Sequence, residues 1–282
     1  MAKRGENEYQ RDSSAKRSRS RSARRSSAGS NGIVPSAVVS SSSAAKVLDD
    51  TLDNEFDEGL STLLFESLQS NDENRVAIAT EDLYDYCETE QGCEEVFRLG
   101  GHSILVLTMK KWRSRVDIQA AACYALNALV NGYPDNQMKQ DLVSSLHKMG
   151  AMELVVRALT KFRTSQDLQM NAIATAGNMC FVGSDHDKKR AATLFVYQLG
   201  GVPLLVAAMK AFPRELEIQN SCWLVKGLCA LGMEKAPVMQ GEVLTLFAAL
   251  QAFPQCEYLK KATGLFMKAV LLGETGDAND LD

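Results

Sequence analysis

The fold is decided by three stretches of sequence that share one register at a spacing of 50 residues. They read LGGHSILVLTMKKWRSRVDIQ (99–119), MGAMELVVRALTKFRTSQDLQ (149–169) and LGGVPLLVAAMKAFPRELEIQ (199–219). Each begins with Leu or Met followed by Gly-Gly or Gly-Ala, continues as an apolar run, and ends in an acidic-aliphatic-Gln triplet. Apolar residues match easily by chance, whereas three copies of this triplet in one register do not. The chain therefore contains internal repeats of one supersecondary unit.

The repetition continues on both sides of these stretches. A fourth copy lies 41 residues beyond the third, and in it Lys260 takes the place of the Gln. Residues 63–87 form a partial unit before the first full copy. From Leu60 to Leu272 apolar residues recur at helical spacing, and no segment alternates as a strand does. We therefore predict an all-α fold over residues 58–273.

Each unit is predicted to contain three helices. The Gly pair supplies a residue that tolerates a left-handed backbone and so ends a short first helix at a sharp turn. The apolar run forms the second helix, and Pro203 is tolerated because it falls in the first turn. The third helix begins at the triplet and carries one apolar stripe, formed in the first full copy by Ile118, Ala122, Ala125, Leu126 and Leu129. Extended first helices are expected in 131–149 and 183–199.

The Gly-Gly-x-x-x-Leu-(Leu/Val) turn and the (Asp/Glu)-(Ile/Leu)-Gln-x-x-Ala start of the third helix resemble armadillo repeats, whose units occupy roughly 40–47 residues. The resemblance covers about residues 58–273. It implies a right-handed α-solenoid of about four to five units, with a concave groove, lined by third helices, that binds an extended peptide or a partner protein. The candidate groove residues are Tyr124, Asn131, Asn171, Asn178 and Ser221. The alternative is that these side chains form only the solvent-exposed face of amphipathic helices and bind no partner.

Within this family, nuclear-import adaptors clamp basic peptides with a Trp and an Asn four residues later. The corresponding pairs here are Tyr124/Ala128, Ala174/Asn178 and Leu224/Leu228, so no unit has that arrangement. Trp223 and Asn127 lie one position away and are expected to serve packing or solvent-facing structure. The sequence therefore disfavours an import adaptor and favours a different protein or peptide partner.

Charge divides the chain into two regions. The whole chain has a net charge of −4, but residues 1–45 hold nine Lys and Arg against three Asp and Glu, a net of +6, which leaves −10 for the rest. The basic segment is rich in Ser, Arg, Ala and Gly and poor in large apolar residues. We predict that residues 1–57 are a disordered basic tail and acidic linker, and that 274–282 are an acidic tail. An acidic repeat domain favours a basic partner.

The basic residues of the tail alternate with Ser in several Arg-Ser steps. They are Lys16, Arg17, Arg19, Arg21, Arg24 and Arg25. Such a cluster is typical of a nuclear localisation signal or a contact for an anionic partner, and phosphorylation of its Ser residues would reverse its charge. Missing aromatic residues disfavour base stacking, and nearby acids disfavour an organelle transit peptide. A nuclear and/or cytoplasmic protein is predicted, with nucleic-acid contact only through this tail. An unregulated, solvated tail is the alternative.

Catalytic, metal and membrane functions find no motif in the sequence. The P-loop, G-x-S-x-G, H-E-x-x-H and Rossmann patterns are missing, and His102, His147 and His186 lie in unlike contexts. Seven cysteines without a C-x-x-C spacing favour small core residues in a reducing compartment over a disulfide framework or a zinc site. No apolar stretch reaches the roughly 18 residues of a membrane span, and the start does not resemble a secretory signal. We expect a non-enzymatic interaction scaffold without metal or cofactor. The alternative is a nuclear RNA-processing or chromatin accessory protein that acts through its Arg-Ser tail.

Overall fold

The computed structural model describes residues 58–132, 136–231 and 241–271. These residues form thirteen α-helices and one π-helical turn, with no strand among them, which confirms the all-α prediction. The helices are α1 (Glu58–Leu68), α2 (Glu73–Tyr86), α3 (Glu90–Arg98), α4 (Gly101–Lys111), α5 (Val116–Gly132), α6 (Asn136–Lys148), α7 (Ala151–Lys161), α8 (Gln166–Phe181), α9 (Asp185–Thr193), α10 (Gly201–Ala211), α11 (Leu216–Leu231), α12 (Glu242–Ala252) and α13 (Glu257–Leu271). The predicted tails at 1–57 and 274–282 lie outside the described residues.

The helix order follows the predicted repeat unit. The third helices of successive units are α2, α5, α8, α11 and α13, and each packs against the next one in chain order. The first helices are extended where the sequence predicts it, since α6 has 13 residues against 9 in α3. The helix α9 continues directly into the π-helical turn Leu194–Gln198. The row of third helices is the element that positions the candidate groove residues.

The core follows the predicted apolar stripe of the third helices. Ile118, Ala122 and Leu126 are fully buried, as are Leu168 and Ala172 at the same register in α8. Small residues allow the helices to approach one another closely. At Gly177 on α8, a Cβ atom would lie 2.6 Å from Cγ2 of Val225 on α11, so even an alanine would not fit without movement. The spacing between neighbouring third helices is therefore fixed by small side chains.

The glycine turns adopt the predicted conformation. Gly100, Gly150, Gly200 and Gly241 each precede a second helix with φ between +67° and +82°, in the left-handed region that glycine tolerates best. After Gly200, the next residue is small for a different reason. A Cβ at Gly201 would lie 2.3 Å from Cζ of a neighbouring phenylalanine in the π-helical turn. Gly200 is therefore required for its backbone conformation, whereas Gly201 is required because a larger residue would collide with the phenylalanine ring.

The glutamines of the repeated triplets join the second and third helices. Gln169 is buried, and its Nε2 donates hydrogen bonds to the carbonyl oxygens of Leu159 at 2.8 Å and Phe162 at 3.2 Å. Gln119 and Gln219 make the same two bonds, to the carbonyls ten and seven residues earlier, at 2.9–3.2 Å. The last carbonyls of a helix lack partners within that helix. Each glutamine therefore caps the end of its second helix from the inside.

The fourth copy keeps the turn but lacks this cap. Its backbone repeats the hydrogen bonds of the other copies, from Cys256 N to Phe253 O at 3.1 Å and from Lys260 N to Cys256 O at 3.2 Å. Lys260 itself is exposed, and its Nζ lies 2.7 Å from Oε1 of Glu257. The same backbone thus forms without the glutamine, which contributes stability instead of specifying the turn.

Candidate partner-binding surface

The five candidate groove residues all lie on third helices. Tyr124 and Asn131 are on α5, Asn171 and Asn178 on α8, and Ser221 on α11. Measured from the aliphatic residue of each triplet, they fall 3, 6, 10 or 13 positions later. These positions form one stripe along a helix, beside the stripe that faces the core. All five residues therefore lie on the same face of the third helices.

The five side chains differ in how far they are exposed to solvent. Asn131 is exposed, whereas Tyr124, Asn178 and Ser221 are half-buried. Asn171 is buried, and its Nδ2 lies 3.4 Å from the carbonyl oxygen of Ala120 on α5. Asn171 therefore links two third helices through one of its N–H groups. Its role in partner binding stays a prediction, as do the roles of the other four.

Three asparagines are connected across α5 and α8. Oδ1 of Asn127 accepts hydrogen bonds from Nδ2 of Asn178 at 2.6 Å and from Nδ2 of Asn131 at 3.4 Å. We call Asn127, Asn131 and Asn178 the asparagine cluster. The sequence analysis gave Asn127 no binding role, although its place four residues before Asn131 on the same helix face would have been a signal. The cluster presents amide groups that are able to pair with the backbone of an extended peptide.

Tyr124 connects α5 to the preceding third helix. Its ring meets the ring of Tyr84 on α2 edge to face, with the centroids 3.9 Å apart. Burial raises the pKa of Tyr84 far above its ordinary value, and the neighbouring Tyr124 raises it further. The Tyr84 hydroxyl is therefore neutral near pH 7. The aromatic pair therefore forms an uncharged, rigid part of the stripe next to the asparagine cluster.

Exposed charged residues lie at both ends of the row of third helices. On α2, Ile78 is 60% exposed, and it shares one helix face with the exposed side chains of Glu81, Asp82 and Asp85. On α13, Lys260 and Lys261 are exposed. Between these ends the stripe is uncharged. A bound chain with basic and apolar residues would complement the α2 end.

The tryptophan beside the family's clamp position is a core residue. Trp223 is 2% exposed, and its ring packs edge to face on Phe266 of α13 with centroids 5.1 Å apart. The packing role expected from the sequence is therefore confirmed. The side chains of Leu224 and Leu228 lie outside the described residues, as do the basic tail residues from Lys16 to Arg25.

Two of the three histidines join neighbouring helices. Nε2 of His102 on α4 lies 3.2 Å from Oγ of Ser145 on α6, and Nε2 of His147 on α6 lies 3.1 Å from the carbonyl oxygen of Met179 on α8. Desolvation by burial lowers the pKa of both imidazoles below the ordinary value of 6.5. Nδ1 of His102 is buried without a hydrogen-bond partner, so no carboxylate orients the ring as in a Ser-His-acid triad. Both histidines therefore serve as neutral links between helices.

We expect the chain to lose stability as the pH falls below about 6.5. The folded state binds fewer protons than the unfolded state there, because the pKa of each buried imidazole is depressed on folding. Each histidine adds a slope of up to about 1.4 kcal/mol per pH unit until its folded-state pKa is passed. Urea unfolding followed by circular dichroism between pH 5 and 7.5 measures this slope.

Replacing His102 and His147 tests whether these two residues cause the loss of stability at low pH. His102→Gln with His147→Asn keeps amide donors but removes both titrating rings, so its stability should vary less with pH than that of the wild type. His186→Asn is the matched control, since His186 is exposed in the first turn of α9. Parallel pH curves for the wild type and the double variant would contradict the assignment.

No group of three or more His, Cys, Asp or Glu side chains is placed to hold a metal ion within 58–132, 136–231 and 241–271. Cys123 and Cys222 are buried, as the sequence predicts. Among the helices described here, none alone has the length and apolarity to cross a membrane; together, the bent pair His186–Gln198 and Gly201–Ala211 meets that test.

No protein-family model, curated protein or solved structure matches this chain.

Proposed function

We propose that residues 58–273 form a right-handed, armadillo-like solenoid of about four to five units that serves as a non-enzymatic interaction scaffold. The third helices line its groove, and an extended peptide or a segment of a partner protein binds along their shared stripe. The observation that carries this proposal is the asparagine cluster. It brings side-chain amides from two neighbouring units to one place beside the Tyr84–Tyr124 pair. Such amides pair with peptide backbone and demand no particular sequence.

The order of the helices supports a solenoid. Each third helix packs on the next one in chain order, and a repeat that contacts mainly its neighbours builds an extended surface instead of an enclosed pocket. The charges support a basic partner, because the exposed acids of α2 stand at one end of the stripe. Electrostatic attraction of this kind raises the association rate more than the affinity.

Peptide binding is tested with a random peptide library selected against the full chain. We expect that the selected peptides bind Asn131→Ala/Asn178→Ala about 5- to 150-fold more weakly, since two hydrogen bonds at about 0.5–1.5 kcal/mol each are lost. Fluorescence polarisation measures the affinity. Both side chains reach the surface, so the folded state should be retained, as thermal melting will verify.

The matched control for this test is Arg157→Ala, an exposed residue on the second helix α7. It removes a surface side chain away from the stripe and should leave peptide affinity unchanged. Equal affinities for the wild type, the asparagine variant and the control would place the binding site elsewhere. The selected peptides are also expected to be enriched in Lys and Arg.

A second candidate function rests on the Arg-Ser steps of the tail. In that case the chain is a nuclear RNA-processing or chromatin accessory protein, and the tail binds the partner. Replacing Lys16, Arg17, Arg19, Arg21, Arg24 and Arg25 with Ala separates the two proposals. The groove proposal expects peptide binding to persist, whereas the tail proposal expects loss of partner binding and of its strong salt dependence. A reporter fused to residues 1–57 tests the predicted nuclear or cytoplasmic location.

A further inference from the structure

Two cysteines meet at the turn between α2 and α3. Cys87 follows the last residue of α2, and its N–H caps that helix, while Cys93 lies in the first turns of α3. Sγ of Cys93 is 3.1 Å from the carbonyl oxygen of Cys87, so the Cys93 thiol lies against the residue that carries the second thiol. Both side chains are buried, 3% and 0% exposed.

The surroundings hold Cys93 in this position. Its Sγ also lies 3.6 Å from the carbonyl oxygen of Ala128 on α5. One turn further along α5, a Cβ at Gly132 would lie 2.5 Å from the same sulfur, so only glycine leaves room for it. Cys93 is thus packed between the end of α2 and the last turns of α5.

We propose that Cys87 and Cys93 form a reversible disulfide when the chain meets a hydroperoxide, and that this pair is a redox-sensitive joint between α3 and α5. The inference does not depend on the proposed partner-binding function. From the sequence alone, these cysteines are expected to be small core residues.

The electronic environment assigns a role to each thiol. The hydrogen bond from Cys87 lowers the pKa of Cys93, whereas that same bond and burial raise the pKa of Cys87 well above its ordinary value. Burial, Glu90 and Glu94 act in the opposite direction on Cys93, so its advantage over Cys87 is one of order: Cys93 is the thiol that a peroxide oxidises first. Cys87 is the resolving thiol.

The reaction consumes one hydrogen peroxide per disulfide. The Cys93 thiolate attacks one peroxide oxygen, the O–O bond breaks, and the hydroxide that leaves takes up a proton to become water, which gives a sulfenic acid. The Cys87 sulfur then attacks the Cys93 sulfur, the S–OH bond breaks, and a second water leaves. Two thiols are oxidised, and the two peroxide oxygens are reduced to two waters. A thiol reductant reverses the change.

Disulfide formation has a structural consequence. Cys93 loses its S–H, and with it both hydrogen bonds to the carbonyls of Cys87 and Ala128. Its sulfur moves toward Cys87 and away from α5. The contact of α3 with α5 should therefore loosen next to Asn127 and Asn131.

The test treats the folded full chain with hydrogen peroxide, removes the peroxide with catalase, and then alkylates the unfolded chain with iodoacetamide. Trypsin releases Val76–Arg98, a peptide that contains both cysteines and no internal Lys or Arg. We expect this peptide to become two hydrogen atoms lighter and to take up no label, and a thiol reductant to restore both labels. Cys123 and Cys222 are the internal controls, and they should react at least about tenfold more slowly because buried thiols without an activating neighbour are inert.

The variant Cys87→Ser tests the order of the steps. It should accumulate a sulfenic acid at Cys93 that dimedone traps, whereas the wild type should not. Full alkylation of both cysteines after peroxide treatment of the wild type would overturn the proposal. So would irreversible oxidation of Cys93 with Cys87 still free to be labelled. The wild-type measurement needs no variant, so it remains decisive even when Cys87→Ser fails to fold.

Discussion

Gly201→Ala is expected to lower the free energy of unfolding by about 2–3 kcal/mol. The new Cβ would lie 2.3–2.6 Å from three ring atoms of Phe195, which no pair of carbon atoms tolerates. Phe195 is fully buried in the π-helical turn, so its ring has no exposed position to move into. Either the ring or the turn must shift. Urea unfolding of the full chain, followed by circular dichroism, measures the loss.

Gly200→Ala is the matched control, because it adds the same methyl group one residue earlier in open space. It should cost only the strain of a left-handed backbone at φ +67°, about 1–2 kcal/mol. Phe195→Leu in the Gly201→Ala background should recover part of the loss. Strictly additive effects of the two changes would show that the ring contact is not the cause.

The chain itself contains the compensated form of this pair. In the preceding unit, Ala151 occupies the position of Gly201 and is fully buried, while Leu146 occupies the position of Phe195, because the π-helical turn adds one residue to the first helix. A smaller partner in the first helix thus accompanies the larger residue at the turn. The two units thus differ at the same two positions that the Gly201→Ala/Phe195→Leu variant changes.

The sequence was sufficient for the parts of the fold that depend on local rules. The turn at Gly200 follows from a backbone requirement of a single residue, and the buried stripe that begins at Ile118 follows from helical periodicity. The contact between Gly201 and Phe195 could not be predicted, because it depends on how the first helix packs on the second. The capping by Gln169 was equally hidden. Its register was evident, but its acceptors are main-chain atoms of another helix.

For the candidate site, the repeat register predicts the stripe but not the depth of each residue within it. Asn171 is buried because α8 lies close to α5 at that level, where Oγ1 of Thr175 is 2.7 Å from the carbonyl oxygen of Cys123. Asn178, seven residues later on the same stripe, is half-buried and bonds to Asn127 instead. The distance between packed helices decides this difference, and no pattern of single residues encodes it.

Gln169→Glu is expected to be the more damaging of two substitutions at the glutamine cap, with a loss of several kcal/mol near neutral pH. The change keeps the shape of the side chain but replaces the Nε2 donor with a carboxylate oxygen that faces the carbonyls of Leu159 and Phe162. Gln169→Leu removes the donor without adding charge. It should cost about 2–4 kcal/mol, since two helix-end carbonyls lose their partner.

The two variants are separated by their response to acid. A buried carboxylate that faces carbonyl oxygens has its pKa raised on folding, and once protonated it donates a hydrogen bond. The deficit of Gln169→Glu relative to the wild type should therefore shrink as the pH falls through that raised pKa, whereas the deficit of Gln169→Leu should not. A deficit of Gln169→Glu that is constant between pH 7 and 5 would mean that the side chain has left the cap for solvent.

The fourth copy supplies the opposite test of the same contact. Lys260→Gln introduces the missing donor onto a turn whose backbone hydrogen bonds already match those of the other copies. It should raise the free energy of unfolding by about 1 kcal/mol, the net value of added hydrogen bonds minus the loss of an exposed ion pair with Glu257. Lys261→Gln, one residue further along α13 and also exposed, removes the same charge without reaching the cap position. The same glutamine cap must therefore explain two opposite changes in the free energy of unfolding: a decrease when Gln169 is replaced, and an increase when a glutamine is introduced at position 260. If Lys260→Gln raised the free energy of unfolding no more than Lys261→Gln does, the glutamine cap would form only in the first three copies.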